Sequence, residues 1–235
     1  MKLHNATVLI TGANRGIGLA FAREALARGA RKVYAGARDP ASVTLTGVEA
    51  IRLDVTRPEE VAAAAHHCGD VTLLINNAGV AEFGGFLAEN SIESARRQLE
   101  INYFGPLRMC QAFAPVLATH GGGAILNVLS VASWISSPML ATYASTKSAV
   151  WSMTNGLRHE LRSQHTQVLG MHMGFVDTDL TKGIEMPKAT PEAVVRRALD
   201  ALEADADEVL ADEMTRQVKE GLSVERAVYL QELAR

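Results

Sequence analysis

The chain has 235 residues, 48% of them hydrophobic and 21% charged, with a formal net charge of −3. That length suits one large α/β domain, and the apolar share is enough for a core and well clear of disorder. With no basic block to track a phosphate backbone, nucleic acid is not an expected partner. Two cysteines, Cys68 and Cys110, are too few for a disulfide framework and point to a reducing compartment. The opening Met-Lys-Leu-His-Asn leads into a strand-like run without an apolar leader and cleavage site. No window of about 18 residues is free of charges and polar breaks. The expectation is a soluble, cytoplasmic protein with no membrane partner.

Ala6 to Ile10 is a short, apolar run rich in β-branched residues, of the kind a buried parallel strand shows. Thr11-Gly12-Ala13-Asn14-Arg15-Gly16-Ile17-Gly18 follows, then a helical pattern of Ile17, Phe21 and Ala25 ending at Gly29. A strand, a glycine turn and a helix form the setting in which such glycines carry meaning. They allow a tight turn and let the backbone approach a pyrophosphate, which then faces free N–H groups at the helix N-terminus. A tight turn alone would also use them.

Lys32 to Gly36 reads as the second strand. A carboxylate at its end would bond the ribose 2′-hydroxyl of a non-phosphorylated dinucleotide. Ala37 and Arg38 stand there instead, and Arg15 lies in the glycine turn. Two guanidinium groups suit a 2′-phosphate, which they bind through paired, charge-assisted hydrogen bonds. NADP(H) is therefore expected over NAD(H), which stays possible because Asp39 lies one residue further on.

Val48 to Leu53 reads as a third strand, closed by Asp54-Val55 at a position suited to touching an adenine. Thr56 and Glu59 read as a capping box for the next helix, whose His66 and His67 read as solvated surface and not as metal ligands. Val71 to Ile75 is a fourth strand. The small residues of Asn76-Asn77-Ala78-Gly79 after it let a cofactor pass close to the backbone, and the asparagines can pin the loop. A long helical region from Asn90 to about His120 is expected to bend near Gly105-Pro106. Asn102 lies within it, either at the surface or aimed into a site.

Ile125 to Leu129 is a fifth strand ending at Ser130, and Val168 to His172 a sixth. Thr190 reads as the cap of a helix with Pro191 at its first position. Glu208 to Ala211 reads as a short seventh edge strand in an acidic, solvated stretch. Strands and helices alternating in this way predict a single-domain Rossmann fold over 1–235. Its doubly wound parallel sheet has six to seven strands, helices on both faces and a site at the strands' carboxyl ends.

Tyr143 and Lys147 stand four apart at the start of a helix expected to run to about His165, so they share one face. A free tyrosine titrates near pH ~10. A nearby cation favours the phenolate, which makes Tyr143 a candidate general acid/base at neutral pH.

Taken in order, these residues closely resemble the shorter, single-domain form of the short-chain dehydrogenase/reductase family. The matches are Thr11-Gly-x-x-x-Gly16-x-Gly18, Asp54, Asn76-Asn-Ala-Gly79, Asn102, Ser130 thirteen residues before Tyr143, and Tyr143-x-x-x-Lys147. They span roughly the first three quarters of the chain. The resemblance implies an NADP(H)-dependent oxidoreductase interconverting a carbonyl and an alcohol. Tyr143 would exchange a proton with the substrate oxygen, and Ser130 would donate a hydrogen bond to it. Lys147 would lower the Tyr143 pKa and bind the nicotinamide ribose, while Asn102 would hold a water linking Lys147 to solvent.

Cofactor contacts are expected from the glycine turn (Gly12, Asn14, Arg15, Gly16, Ile17 and Gly18) and from Arg38, Asp54 and Val55. Others are expected from Asn77, Ala78 and Gly79, from Tyr143 and Lys147, and from Gly174, Val176 and Thr178. The family usually has Pro-Gly after the sixth strand. Met173 here restores an N–H and loosens φ, so a softer contact is expected. Asp179 to Ala189 would be a short lid over an open pocket walled by Trp134, Met139, Phe175 and Leu180, which favours a hydrophobic ketone or aldehyde. Family resemblance also implies a homodimer or homotetramer packed through helices 90–120 and 142–165. The competing class is a redox sensor or scaffold that binds NADP(H) without turnover, which would have little need of proton-transfer groups.

Overall fold

All five residues of β1 (Thr7–Thr11) are buried, the mark of a strand covered on both faces. The computed structural model, which describes residues 1–231, sets it third in a seven-stranded parallel sheet, with a strand on each side. The other strands are β2 (Lys32–Ala37), β3 (Glu49–Arg52), β4 (Leu73–Asn76), β5 (Gly123–Val128), β6 (Thr166–His172) and β7 (Glu208–Leu210). Their spatial order is β3-β2-β1-β4-β5-β6-β7. The winding direction reverses between β1 and β4, which opens a crevice at the strands' carboxyl ends.

The helices are α1 (Gly16–Ala27), α2 (Pro58–His67), α3 (Ser91–Leu99), α4 (Gly105–Thr119), α5 (Ala141–Glu160), α6 (Pro191–Glu203) and α7 (Glu213–Glu220). Alternate strand residues point to opposite faces. Val8 and Ile10 therefore join Phe21 of α1 and Leu199 of α6 on one side of the sheet. Leu9 joins Phe113 of α4 and Leu157 of α5 on the other. Phe21 and Phe113 are fully buried, each contributing about 1.5–3 kcal/mol. Thr190 caps α6 as expected, accepting from the Ala193 amide at 3.2 Å. None of the helices among the described residues is long and apolar enough to cross a membrane.

Element boundaries depart from the sequence reading in four places. The Thr56–Glu59 capping box does not form, because Asp54 Oδ1 accepts from the Thr56 N–H at 2.9 Å and from its hydroxyl at 2.7 Å. Helix α2 starts instead at Pro58, whose fixed φ suits a first turn. The region 90–120 is two helices joined by a π turn, Glu100–Phe104. Pro106 supplies the reason: it has no N–H for the Asn102 carbonyl four residues back, and the Gly105 amide bonds Glu100 instead. Helix α5 ends at Glu160, and a tight turn then carries the chain to His165 in the left-handed region, φ +57°. Glu208 is not merely solvated; it is partly buried and pairs with Lys219 of α7 at 2.8 Å.

Candidate active site

The glycine turn and the loop after β4 are built as one unit across the crevice. Gly12 and Gly16 adopt φ of +67° and +55°, which L side chains rarely adopt. A Cβ on Gly18 would overlap the Gly12 carbonyl oxygen and Asn77 Nδ2. Asn77 draws the turn tight, donating from Nδ2 to the carbonyls of Thr11 and Gly12 at 2.9 and 3.1 Å. Thr11 Oγ1 in return accepts from the amides of Asn77 and Ala78 at 3.0 and 2.9 Å. Asn76 lies inside β4, where its Nδ2 donates to Asn127 Oδ1 at 2.8 Å. The first amides of α1 have no side-chain cap, so they are free to meet an anion.

At the β2–β3 edge, burial would raise the Asp54 carboxyl. Bonds from Thr56, with the guanidinium groups of Arg38 and Arg57 nearby, hold it below the usual carboxylate range. Arg38 is therefore close enough for Asp54 to feel its charge. Arg15 is engaged elsewhere, its Nη1 bonded to Asp179 Oδ2 at 3.0 Å with both side chains largely exposed. Such an exposed pair is worth about 0–1 kcal/mol, so a stronger anion can displace it. Asn14 Nδ2 donates to Ser42 Oγ at 3.1 Å. Val55 is buried against Gly105, and Gly79 packs beside Asn102.

Ser130 ends the extended chain after β5, and its Oγ accepts from the Ala132 amide at 3.1 Å. Helix α5 brings Tyr143 and Lys147 to the same place, one turn apart. The buried Lys147 ammonium donates to the Val128 carbonyl at 2.9 Å and lies 5.7 Å from the centre of the Tyr143 ring. Loss of hydration pushes Lys147 down to about 8. It also pushes the Tyr143 phenol up to about 12, against a smaller opposing effect of Ser130. The net shift at the Tyr143 phenol is thus upward, opposite to the direction expected. The cation is committed to Val128 and itself disfavoured, so burial wins at the phenol.

Asn102 is buried, which settles the open choice left by the sequence against a surface position. Its Oδ1 accepts from the Val80 amide at 2.9 Å, and its Nδ2 donates to the Val80 carbonyl and Thr146 Oγ1 at 2.8 and 3.0 Å. Both amide protons are used, so the side chain is a strut between the loop after β4 and α5. The group left to hold a water is its main-chain carbonyl, which Pro106 deprives of an amide.

A cleft of about 640 Å³, open to solvent, runs beside Ser130 and Tyr143. Phe175 and Leu180 line it as expected, with Ile17, Val176 and Thr178 from the cofactor set. Trp134 and Met139 do not. Trp134 turns away and stacks on His172 at 3.9 Å, edge-on to Trp151 at 6.4 Å. Met139 is 49% exposed, and Leu140 lines the cleft in its place. Sequence reasoning missed Phe83, which the backbone bond from the Gly84 amide to the Met139 carbonyl, 2.9 Å, holds at the cleft. An aromatic just ahead of Gly84-Gly85 was the one available signal.

The loop after β6, which carries Met173, is braced from two sides. The Met173 carbonyl accepts from the Val131 amide at 2.8 Å, and the Gly174 amide donates to Asp212 Oδ2 at 2.5 Å. A Cβ on Gly174 would press on Met214 of α7, so this glycine serves helix packing. The segment 179–189 folds back on itself, with its ends tied by the Asp177 amide to the Ala189 carbonyl and the Ala189 amide to the Phe175 carbonyl, both 2.9 Å. Leu180, Thr181 and Ile184 from that segment line the cleft.

Sheet order and crevice together define a single-domain Rossmann-type protein with its site at the carboxyl ends of the strands. The family model described as short chain dehydrogenase matches residues 6–189. The chain belongs to that family. It is 31% identical over 195 residues to dehydrogenase/reductase SDR family member 7B of Mus musculus, covering 76% of this chain and 60% of the relative. It is 37% identical over 186 residues to short-chain dehydrogenase ptmH of Penicillium ochrochloron, covering 75% of this chain and 68% of that protein. The chain thus spans about 60% of the length of the mouse relative. A solved short chain dehydrogenase from Burkholderia cenocepacia, in complex with NADP, matches with a TM-score of 0.94 at 37% identity, covering 99% of this chain and 100% of that one.

Proposed function

We propose that this oxidoreductase interconverts a carbonyl and an alcohol by hydride transfer, with NADP(H) preferred and NAD(H) possible. One observation carries the reading: Ser130, Tyr143 and the buried Lys147 meet where β5 ends, and an apolar cleft opens beside Ser130 and Tyr143. The cradle left by Gly12, Gly16 and Gly18, with the uncapped amides of α1, fits a pyrophosphate. Arg38 and a displaceable Arg15 support a 2′-phosphate, as does the NADP bound by the Burkholderia cenocepacia relative.

The nicotinamide, when bound, supplies or takes the hydride. Tyr143 gives its proton to the carbonyl oxygen in reduction, or takes one from the alcohol in oxidation. Ser130 donates to the same oxygen as negative charge develops there. Lys147 would hold the nicotinamide ribose and return the proton to Tyr143, with Asn102 placed to hold a water linking it to solvent. Phe83, Phe175, Leu180 and Ile184 suit a hydrophobic ketone or aldehyde. A shallow groove of Tyr103, Leu107, Met153 and Gly156 between α4 and α5 suits a homodimer or homotetramer, working in the cytoplasm.

Tyr143→Phe tests the reading in an NADPH-consumption assay on aryl and alkyl ketones. Turnover should fall by about 10²–10⁴-fold, with NADPH affinity kept by fluorescence titration. A variant that keeps its turnover sinks the role of Tyr143. A wild-type protein that binds NADPH and turns over nothing in a broad carbonyl panel points to the sensor instead.

A further inference from the structure

His172 is fully buried at the end of β6, outside the cleft, and no step above uses it. Its ring lies flat against Trp134, 3.9 Å centre to centre and 19° from parallel. Nδ1 is 3.2 Å from the carbonyl oxygen of Ser130, and Nε2 is 3.3 Å from Glu208 Oε1. Nε2 makes no hydrogen bond and only faces the Glu208 carboxylate. Glu208 Oε2 is held in turn by Lys219 at 2.8 Å, and that ammonium also sits 4.8 Å over the Trp134 ring.

Both partners of the imidazole can only accept. A carbonyl oxygen has no proton, and Glu208 is held as a carboxylate, pulled down to about 2 by His172 first and Lys219 after it, against burial. Nδ1, within hydrogen-bond reach of the Ser130 carbonyl, is therefore the nitrogen that carries a proton. The charged groups arrayed around the ring are Glu208 from β7 and Lys219 from α7. From the β5–α5 side it meets the Ser130 carbonyl and the Trp134 face.

We propose that His172 is a positioning residue, an imidazole wedged between Glu208 and Trp134 that donates to the Ser130 carbonyl, fixing the end of β5 and with it the Ser130 hydroxyl. The chain Lys219–Glu208–His172–Ser130 ties the C-terminal β7–α7 unit to the group that donates to the substrate oxygen. The catalytic consequence rests on the role assigned to Ser130 above. Trp134 belongs to this support, which is why it faces away from substrate.

Three readouts separate the parts. A long-range ¹H–¹⁵N spectrum of histidine-labelled protein at pH 7 should show Nδ1 of His172 protonated, and a bare Nδ1 there overturns the proposal. Amide exchange reports positioning without any substrate, because the Ala132 amide donates to Ser130 Oγ. Exchange at Ala132 should quicken in Glu208→Gln and in His172→Phe, and less in His172→Asn, whose amide can still reach the Ser130 carbonyl. Unchanged exchange in folded Glu208→Gln and His172→Phe overturns the proposal. In turnover, Glu208→Gln should lower kcat about tenfold with NADPH affinity unchanged, and His172→Asn should keep more kcat than His172→Phe. Equal losses in kcat and NADPH affinity would mark a merely structural role and overturn it. The spectrum and the exchange rates hold whatever reaction the cleft performs, so a failure of the carbonyl chemistry is told apart from a failure at His172.

Discussion

Asp212, at the head of α7, accepts from the Gly174 amide at 2.5 Å, joining the C-terminal helix to the loop after β6. The same carboxylate caps α7 by accepting from the Thr215 amide at 2.8 Å. Removing it strands a loop amide and uncaps a helix, at a cost of about 2–3 kcal/mol. Asp212→Ala should lose about that much in urea unfolding. Asp212→Asn, a competent cap, should fold normally and weaken NADPH binding several-fold through the Gly174 loop. Unchanged NADPH affinity in Asp212→Asn would show that the loop is ordered without this bond.

The cofactor preference can be read at Arg38. Arg38→Asp should weaken NADPH binding by one to two orders of magnitude, about 1.4–3 kcal/mol, and leave NADH binding nearly as it was. Titration of both nucleotides into the same preparation gives the ratio. Equal losses would mean that Arg38 does not read the 2′-phosphate.

Burial of Lys147 has a stability cost with a defined sign. Its folded-state pKa lies near 8, below the free value of 10.5, so keeping the ammonium buried destabilises the fold below about 8. That cost fades as pH rises from 8 to 10.5. At pH 7 it is on the order of 3 kcal/mol. Lys147→Met should therefore lose turnover yet melt several degrees higher at pH 7, with the gap closing toward pH 10.5. A gap that does not change with pH would refute the assigned cause.

Specificity should follow Phe83 and not Trp134. Phe83→Ser removes an apolar wall and should lower kcat/KM for aryl ketones roughly tenfold, an effect of about 1.4 kcal/mol, with little change in melting temperature. Trp134→Ala should instead destabilise by about 3 kcal/mol and leave the ranking of substrates intact. A reshuffled ranking in Trp134→Ala would return that side chain to the pocket.

Most of the frame was legible because it rests on local rules. Buried strands are written as apolar runs, the glycine turn follows a strand, and Thr190-Pro191 announces a helix start. The departures come from contacts that spacing alone does not rank, two of them local and one from distant segments. Thr56 was read as a cap on local spacing, but Asp54 captured it. Glu208 looked solvated in its acidic stretch, and only the approach of β7 to β6 and α7 gives it His172 and Lys219. Trp134 was placed in the substrate gap by its position between Ser130 and Tyr143. A short turn, Val131–Ser133, swings it out to the other side.

The sequence by itself determined the doubly wound sheet, the glycine turn, and the spacing that sets Tyr143 and Lys147 on one helical face. These depend on backbone conformation and periodicity, which neighbouring residues control. Only the tertiary structure decided the protonation balance and the walls of the cleft. Hydration lost at Tyr143 and Lys147, and the hydrogen bond of Lys147 to Val128, arise when α5 packs on β5. The brace from α7 to Gly174 and the contact of His172 with Ser130 likewise need segments about forty residues apart in the chain to meet. Electrostatics and packing are set by what surrounds a group, and in this chain those surroundings are assembled from both halves.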